Sequence, residues 1–162
     1  LPINCLSWYD AMAFCIWDGG FLPTEAEWNY AASGGSEQRV YPWSNPPTME
    51  VVDCQHVNYY NGTDYCVNPP TGGTLRVGTH SPLGDGRWGH ADIAGNIWEW
   101  VLDYDAAYAT PCDNCAQLTP GTNRGMRGGY FKNSMGNMRA ANRSSNQPVD
   151  RPQYLGVRCA RY

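Results

Sequence analysis

Two segments of the chain concentrate the residue types that do chemistry. The first, residues 91–100, reads ADIAGNIWEW and places the carboxylates of Asp92 and Glu99 on either side of a glycine turn. Carboxylates and backbone carbonyls are the hard oxygen ligands of calcium, and glycine lets the backbone curl around an ion. The alternative is a plain turn into a strand, with Glu99 paired to an arginine.

The second segment, Arg127–Arg143, combines three arginines, Lys132 and several asparagines, and it lacks cysteine in a chain that has seven. Arginine suits planar, bidentate and partly buried ion pairs. We therefore predict that Arg127, Arg139 and Arg143 have structural roles. Glu27 and Glu99 are their candidate partners. The short polar and aromatic residues between them are typical of an adaptable contact surface.

Charge is unevenly distributed along the chain. Residues 124–162 hold seven arginines and Lys132 against one acid, Asp150, whereas residues 1–123 hold fourteen acids against three arginines. A solvated nucleic-acid patch would include more lysine, so we predict that the two halves pair within one fold and bind no nucleic acid. No run approaches the roughly 18 apolar residues of a membrane helix. The length of 162 residues suits a single domain, residues 1–162.

Two helices and a few short strands must position these segments. Ser7 is a candidate N-cap for the first helix, and Gly19-Gly20 ends it. Thr24 and Glu27 form a capping box at the start of the second. Residues 95–103 and 155–162 alternate as strands do. Because glycine (18) and proline (12) are abundant, we predict a loop-rich α+β fold in which residues 41–90 are ordered loops.

Six phrases stand in the order typical of one family. They are LPTEAEWNYAASGG, YPW, ADIAGNIWEW, RGGYF, RAANR and LGVRCAR. The chain resembles the formylglycine-generating enzyme, or sulfatase-modifying factor, family from about Ile3 to Arg161. The resemblance implies a fold related to C-type lectins, with two helices near the N-terminus, short antiparallel strands and long loops. The family domain usually has a further portion before the first helix, which we expect this chain to lack.

The resemblance also implies one calcium ion. The family's ligands map to Asp92, Gly95, Ile97 and Glu99. A second family site would begin with Asn58 and the carbonyl of Tyr59, but its later aspartate falls near Pro69, which cannot substitute. An ordinary asparagine-rich turn is the alternative there.

Seven cysteines favour disulfides and an oxidising compartment over a metal site, because only Cys112 and Cys115 form a CxxC. The resemblance implies a disulfide between Cys15 and Cys159. The natural remaining pairs, argued from proximity in sequence, are Cys54–Cys66 and Cys112–Cys115. Cys5 is then the odd cysteine.

The resemblance does not extend to the family's copper chemistry. The oxygen-dependent enzymes carry two cysteines, five positions apart, after the RGG motif, and their thiolates bind copper(I). Here Met135 and Met138 are the only sulfur groups of that segment, and we predict that they pack rather than bind copper. The three-histidine iron site of the family's sulfoxide synthases is not expected from His56, His80 and His90. We assign no catalytic residue.

These observations predict a non-catalytic binding module that is secreted, periplasmic or on the cell surface, with a protein, peptide or glycan ligand. The predicted ligand contacts are Trp88, Tyr130, Phe131, Asn133 and Asn137. One alternative is a family enzyme, a formylglycine-generating oxidase or related oxidoreductase, with an altered active site. Another is a variable binding protein of the kind encoded by diversity-generating retroelements. A third is an envelope domain without a ligand.

Overall fold

The structure is a computed structural model that describes residues 1–67, 72–108, 110–113 and 115–161. Its helices are α1 (Trp8–Trp17) and α2 (Glu25–Ser33). Its strands are β1 (Trp98–Tyr104), β2 (Arg124–Arg127), β3 (Arg143–Asn146) and β4 (Leu155–Val157). Short 3-10 turns occupy Gly35–Glu37 and Met135–Met138. Most of the described chain is therefore irregular, as the glycine and proline content predicts.

Both helices begin at the predicted caps. The Ser7 hydroxyl accepts the Asp10 amide at 3.2 Å, and the Asp10 carboxylate accepts the Ser7 amide at 2.9 Å. In the same way, the Thr24 hydroxyl accepts the Glu27 amide at 3.1 Å, and the Glu27 carboxylate accepts the Thr24 amide at 2.8 Å. Each capping box satisfies amides that the first helical turn leaves without partners.

The four strands form one sheet in the order β3-β2-β1-β4. β2 pairs antiparallel with β1 and with β3, whereas β4 runs parallel to β1. The α+β class is confirmed, but the expectation of antiparallel strands is wrong for β4. Because β3 and β4 lie at opposite edges, the chain crosses the sheet between them, and β4 arrives alongside β1 in the same direction.

Contacts divide the chain into two compact units, each assembled from segments distant in sequence. Unit 1 comprises Leu1–Pro2, Asn29–Ile97 and Gly128–Asn142. Unit 2 comprises Ile3–Trp28, Trp98–Arg127 and Arg143–Tyr162. The assignment of residues 1–162 to a single domain stays a prediction.

Unit 2 contains α1 and the whole sheet. The central strand β1 buries Trp100 and Val101. The indole of Trp8 donates to the Val101 carbonyl at 2.8 Å, and that of Trp100 donates to the Leu6 carbonyl at 3.0 Å. The tryptophans thus bury large apolar rings while their N–H groups keep partners.

Unit 1 is built from ordered loops around an aromatic cluster. Tyr41 and Trp43 stack with centroids 5.2 Å apart, and Val57, Tyr59 and Met138 pack in the same core. The burial of Met138 agrees with its predicted packing role, but the same prediction is wrong for Met135, whose side chain is 48% exposed because it lies just after the 130–133 turn. The expectation that residues 41–90 form ordered loops is confirmed for the described part of that range, which leaves out Pro69.

The structure contains three disulfides, Cys15–Cys159, Cys54–Cys66 and Cys112–Cys115. Cys5 is exposed, and its thiol is free among the described residues. Disulfides of this number are typical of proteins that fold in an oxidising compartment. None of the described helices has the length and apolar character needed to cross a membrane.

Candidate functional site

The part of the Arg127–Arg143 segment that lies in unit 1 is held by backbone hydrogen bonds to two other loops. The Gly95 amide donates to the Gly128 carbonyl at 2.8 Å, and the Phe131 amide donates to the Asn96 carbonyl at 3.2 Å. The Tyr60 amide donates to the Asn133 carbonyl at 2.9 Å. The loop is therefore positioned at three points along its length without belonging to a strand.

A tight turn at residues 130–133 presents side chains from this loop. The Asn133 amide donates to the Tyr130 carbonyl at 2.8 Å, and the Asn133 side chain accepts the Tyr130 amide at 3.1 Å. Lys132 at the tip of the turn and Ser134 and Met135 just after it are exposed. The asparagine closes the turn on its own backbone, which is a common role for this residue type.

The predicted ligand residues have unequal access to solvent. Tyr130, Asn133 and Asn137 are half-buried, but Phe131 is only 8% exposed. The Phe131 ring therefore packs into the core under the turn, and little of its surface is accessible to a ligand. Trp88 is 47% exposed and stacks on Tyr30, with centroids 5.3 Å apart.

Two tyrosines beside the turn were not among the predicted ligand residues. The rings of Tyr60 and Tyr65 lie 5.0 Å apart, and the two residues form an isolated β-bridge. The stretch YYNGTDY gives the signal that could have identified them, because aromatic residues flank an Asn-Gly turn.

Unit 2 holds a buried carboxylate that receives two arginines. Arg143 donates to both oxygens of Glu25, at 2.8 and 2.6 Å, and Arg127 Nη1 lies 3.5 Å from Glu25 Oε1. The Tyr108 hydroxyl lies 3.2 Å from the same oxygen. The predicted structural role of these arginines fits this geometry, but the carboxylate is Glu25 and not Glu27. Glu27 instead accepts hydrogen bonds from Thr24.

Burial sets the electrostatics of this cluster. It lowers the pKa of the fully buried Arg127 guanidinium, because the charged form loses its hydration. Burial opposes the charge of Arg143 as well, but hydrogen bonds and attraction to Glu25 raise the pKa of this guanidinium above its ordinary value. Burial also raises the pKa of Tyr108. The two guanidinium groups of this cluster therefore shift in opposite directions although they face the same carboxylate.

Glu99 and Arg139 have other partners than those predicted. Both Glu99 oxygens accept Arg158, at 2.8 to 3.1 Å, and one accepts the Trp28 indole at 2.8 Å. Arg139 pairs with Glu50 at 3.2 Å, where both side chains are about half exposed. Glu99 therefore has an arginine partner, as the alternative for the 91–100 turn predicts, but the partner comes from the C-terminal strand region.

The FGE-sulfatase family model, a sulfatase-modifying factor enzyme 1-like domain, matches residues 1–162. The chain belongs to this family. It is 35% identical to the formylglycine-generating enzyme of Mus musculus, over 98% of this chain and 44% of that protein. It is 37% identical to the enzyme of Thermomonospora curvata, over 98% of this chain and 55% of that protein. The chain thus spans about half the length of these curated relatives.

Other similar proteins carry different descriptions. The inactive Cα-formylglycine-generating enzyme 2 of Mus musculus is 32% identical, over 99% of this chain and 49% of that protein. PvdO of Pseudomonas aeruginosa has a TM-score of 0.76 at 24% identity, over 96% of this chain and 60% of that chain. Treponema denticola variable protein 1 has a TM-score of 0.75 at 23% identity, over 96% of this chain and 69% of that chain. These two structures support the fold.

The predicted calcium ligands have different surroundings in this structure. The Asp92 carboxylate accepts the Gly78 amide at 2.6 Å, and the Glu99 carboxylate is held by Arg158 as described above. By contrast, Asn58 is buried, and its Oδ1 atom has no hydrogen-bond donor among the described residues. Its Nδ2 atom donates to the Gly73 carbonyl at 2.8 Å. An amide oxygen left without a donor fits a hard cation.

The remaining predicted calcium ligands are backbone carbonyls. Gly95 adopts a left-handed φ of +73°, and a Cβ there would lie 2.6 Å from the Asn58 carbonyl oxygen. Glycine is therefore required for the close approach of these two loops. Ile97 is buried at the end of the same turn, and the Tyr59 carbonyl accepts the Cys66 amide at 3.4 Å. In the described ranges of the chain, no three His, Cys, Asp or Glu side chains group as a metal site.

Proposed function

We propose that the chain is a non-catalytic member of the family that binds a protein, peptide or glycan outside the cytoplasm. The observation that carries this proposal is the composition of the Arg127–Arg143 segment, which contains no cysteine. A thiol is needed to form a mixed disulfide with a substrate cysteine or to bind copper(I) as thiolate. Met135 and Met138 are thioethers and do neither of these.

The ligand surface that we propose consists of Tyr130, Lys132, Asn133, Ser134 and Met135. The hydrogen bonds to Tyr60, Gly95 and Asn96 hold this loop in place before any ligand arrives. Preorganisation of this kind lowers the entropy lost on binding. Amide, hydroxyl and ammonium groups beside an aromatic ring suit peptides and glycans, since both offer polar groups next to apolar surface.

Calcium bracing is part of the proposal, and Asn58 supports it. The Asn58 Oδ1 atom and the backbone carbonyl of Tyr59 would hold the ion. Bound calcium would give the Asn58 amide oxygen a positively charged partner in place of the missing hydrogen-bond donor, and it would stabilise the folded protein by binding to it.

Ligand screening tests the binding proposal directly. The purified protein is screened against a glycan array and a displayed random-peptide library, and hits are remeasured with a Tyr130→Ala/Lys132→Ala variant. We expect the variant to lose binding by at least tenfold, about 1.4 kcal/mol. The control is Leu118→Ala, which removes an exposed apolar side chain of unit 2. Equal loss in both variants, or hits that neither substitution affects, would contradict the proposal.

An enzyme with altered chemistry is the second candidate, favoured by 35 to 37% identity to formylglycine-generating enzymes. Anaerobic copper(I) titration against a chelating indicator separates the two candidates. We expect the protein to leave copper(I) with the indicator. Tight one-to-one copper binding, together with aldehyde formation in a cysteine-containing sulfatase peptide, would favour the enzyme.

Melting with added calcium or with a chelator tests the bracing. We expect calcium to raise the melting temperature of the wild-type protein and to have little effect on Asn58→Ala. An identical rise in both proteins would place calcium elsewhere.

A further inference from the structure

The turn at residues 61–64 contains Asn61, the only asparagine of the chain that is followed by a glycine. All residues of this turn are exposed. The Asn61 amide donates to the Asp64 carbonyl at 3.0 Å and closes the turn. An asparagine side chain carries an amide carbon that the next backbone nitrogen can attack to form a cyclic imide, so this pair of residues is a candidate for covalent change.

The backbone nitrogen of Gly62 is the nucleophile in such a reaction. No described residue accepts a hydrogen bond from the Gly62 amide. Gly62 has a φ of +103°, and a Cβ at this position would meet no atom within 4 Å. Since glycine has no Cβ and the surrounding space is open, nothing blocks the approach of this nitrogen to the Asn61 side chain.

Two aspartates of the chain are also followed by glycine, but the glycine amides there are held. The Gly19 amide donates to the Ile16 carbonyl at 3.1 Å, and the Gly86 amide donates to the His90 carbonyl at 3.0 Å. A nitrogen in a hydrogen bond must lose that bond before it attacks, and an ionised carboxylate is a poorer electrophile than an amide. Asn61 is therefore the site where an open nucleophile meets an amide.

The side-chain oxygen of Asn61 is surrounded by donors. It accepts the Thr63 amide and the Thr63 hydroxyl, both at 3.0 Å, and the Asp64 amide at 2.8 Å. Attack on the amide carbon places negative charge on this oxygen in the transition state, and donors aimed at such an oxygen stabilise that charge. The same hydrogen bonds hold the side chain against the backbone with which it would react.

We propose that Asn61 is a site of spontaneous deamidation in the folded protein. The Gly62 nitrogen forms a bond to Asn61 Cγ, the bond from Cγ to Nδ2 breaks, and the side-chain nitrogen leaves as ammonia with the proton of the Gly62 amide. Water then opens the cyclic imide at either of its carbonyl groups, which yields aspartate or isoaspartate. Water is the only further reactant, and nothing is oxidised or reduced.

Isoaspartate in place of Asn61 lengthens the main chain by one atom, because the chain then runs through the former side chain. Tyr60 and Tyr65 flank the turn in a β-bridge, and the Tyr60 amide donates to the Asn133 carbonyl at 2.9 Å. The isoaspartate product therefore loosens one of the backbone contacts that hold the 130–133 turn. The deamidation itself does not depend on the ligand surface proposed for that turn.

Peptide mapping by mass spectrometry, on folded protein incubated in a mildly alkaline buffer, tests the site. We expect the peptide containing Asn61 to gain the mass of deamidation, split between aspartate and isoaspartate, at least about tenfold faster than any other asparagine peptide. Thr63→Val keeps the shape of the side chain and removes one donor, so deamidation at Asn61 should slow by about threefold to tenfold. Thr79→Val is the matched control, because this exposed threonine of unit 1 donates to the Arg76 carbonyl at 2.6 Å.

Three results would overturn the proposal. In the first, Asn61 stays unmodified while other asparagines react. In the second, Thr63→Val and Thr79→Val deamidate at the same rate. In the third, Thr63→Val reacts faster than wild type, which would mean that the hydrogen bonds restrain the amide instead of activating it.

Hydrogen exchange of protein aged in this way tests the structural consequence. We expect faster exchange at the Tyr60 amide than in Asn61→Gln aged alongside, since the longer glutamine side chain closes a ring less readily. Equal exchange in an extensively deamidated sample would overturn the loosening of the 130–133 turn. Ligand screening with Tyr130→Ala/Lys132→Ala uses fresh protein, so its failure is distinguishable from the failure of this proposal.

Discussion

The two compact units of this chain are stabilised in different ways. Unit 2 places a hydrogen-bonded sheet next to buried ion pairs centred on Glu25 and Glu99. Unit 1 relies on stacked aromatic rings and on asparagine side chains that bond to loop backbone. The Asn96 side chain accepts the Leu75 amide at 2.8 Å and donates to the Leu75 carbonyl at 3.1 Å. The Asn96 side-chain amide thus forms with the Leu75 backbone the two hydrogen bonds that a residue of a neighbouring strand would form.

The difference between the units shows how loops without regular secondary structure can still hold a well-defined surface. Buried backbone groups need partners whether or not a sheet provides them. Where strands are short, a buried asparagine supplies both a donor and an acceptor from one side chain. The candidate ligand turn lies in unit 1, which agrees with the tendency of function to reside on loops held by a scaffold.

The largest expected difference between the units is in the free energy of unfolding that each disulfide contributes. Cys15–Cys159 of unit 2 has a sequence separation of 144, and Cys54–Cys66 of unit 1 has one of 12. In the chain-entropy model the longer loop contributes about 5 kcal/mol and the shorter about 3 kcal/mol. Denaturant unfolding of the Cys15→Ser/Cys159→Ser and Cys54→Ser/Cys66→Ser variants measures both. A larger loss from the short loop would show that local packing, and not loop length, dominates.

Removal of the charge on Glu25 should destabilise unit 2 nearly as much. Glu25→Gln leaves Arg127 buried without its carboxylate, and breaking a buried pair costs about 3–5 kcal/mol. The control is Glu50→Gln, whose exposed pair with Arg139 should contribute less than about 1 kcal/mol. Denaturant midpoints of the two variants give the comparison. Similar small losses would indicate that Arg127 and Arg143 find other acceptors.

Asn96→Ala should destabilise unit 1 by about 3 kcal/mol. The substitution leaves the Leu75 amide and carbonyl without their side-chain partner, and each lost buried hydrogen bond costs about 1–3 kcal/mol. Asn96 also has a positive φ of 65°, which asparagine tolerates better than alanine. The control, Asn61→Ala, alters an exposed turn. Unfolding free energies that differ by less than about 1 kcal/mol would contradict the strand-like role of Asn96.

The smallest expected effect concerns the Asp10 cap of α1. Hydrogen bonds from the Ser7 hydroxyl and amide lower the pKa of Asp10 below its ordinary value of 3.8. Because the pKa of Asp10 is lower in the folded than in the unfolded chain, the ionised carboxylate stabilises the folded state at pH values above the unfolded pKa. This contribution is lost as the pH falls through the folded pKa. The stability difference between wild type and Asp10→Asn should therefore shrink below pH 3.8. Melting temperatures between pH 6 and pH 2 provide the measurement, and a constant difference would contradict the assignment.

Residues near each other in the sequence determined several features without tertiary information. The capping boxes at Ser7 and Thr24 depend on partners three residues away, so their patterns predict both helix starts. Alternation of apolar residues predicts β1 in the same way. The family resemblance supplied the fold and the Cys15–Cys159 pair, neither of which follows from local spacing.

Tertiary structure decided which groups meet. Glu25 and Glu27 are two positions apart on α2, so their side chains point about 200° apart around the helix. The sequence marks both as acids of the first turn, but only the fold directs Glu25 to Arg127 and Arg143. The parallel entry of β4 and the burial of Phe131 likewise depend on distant segments. Local patterns determine where an element begins because their partners are close in sequence, whereas burial and ion pairing depend on packing that brings distant residues together.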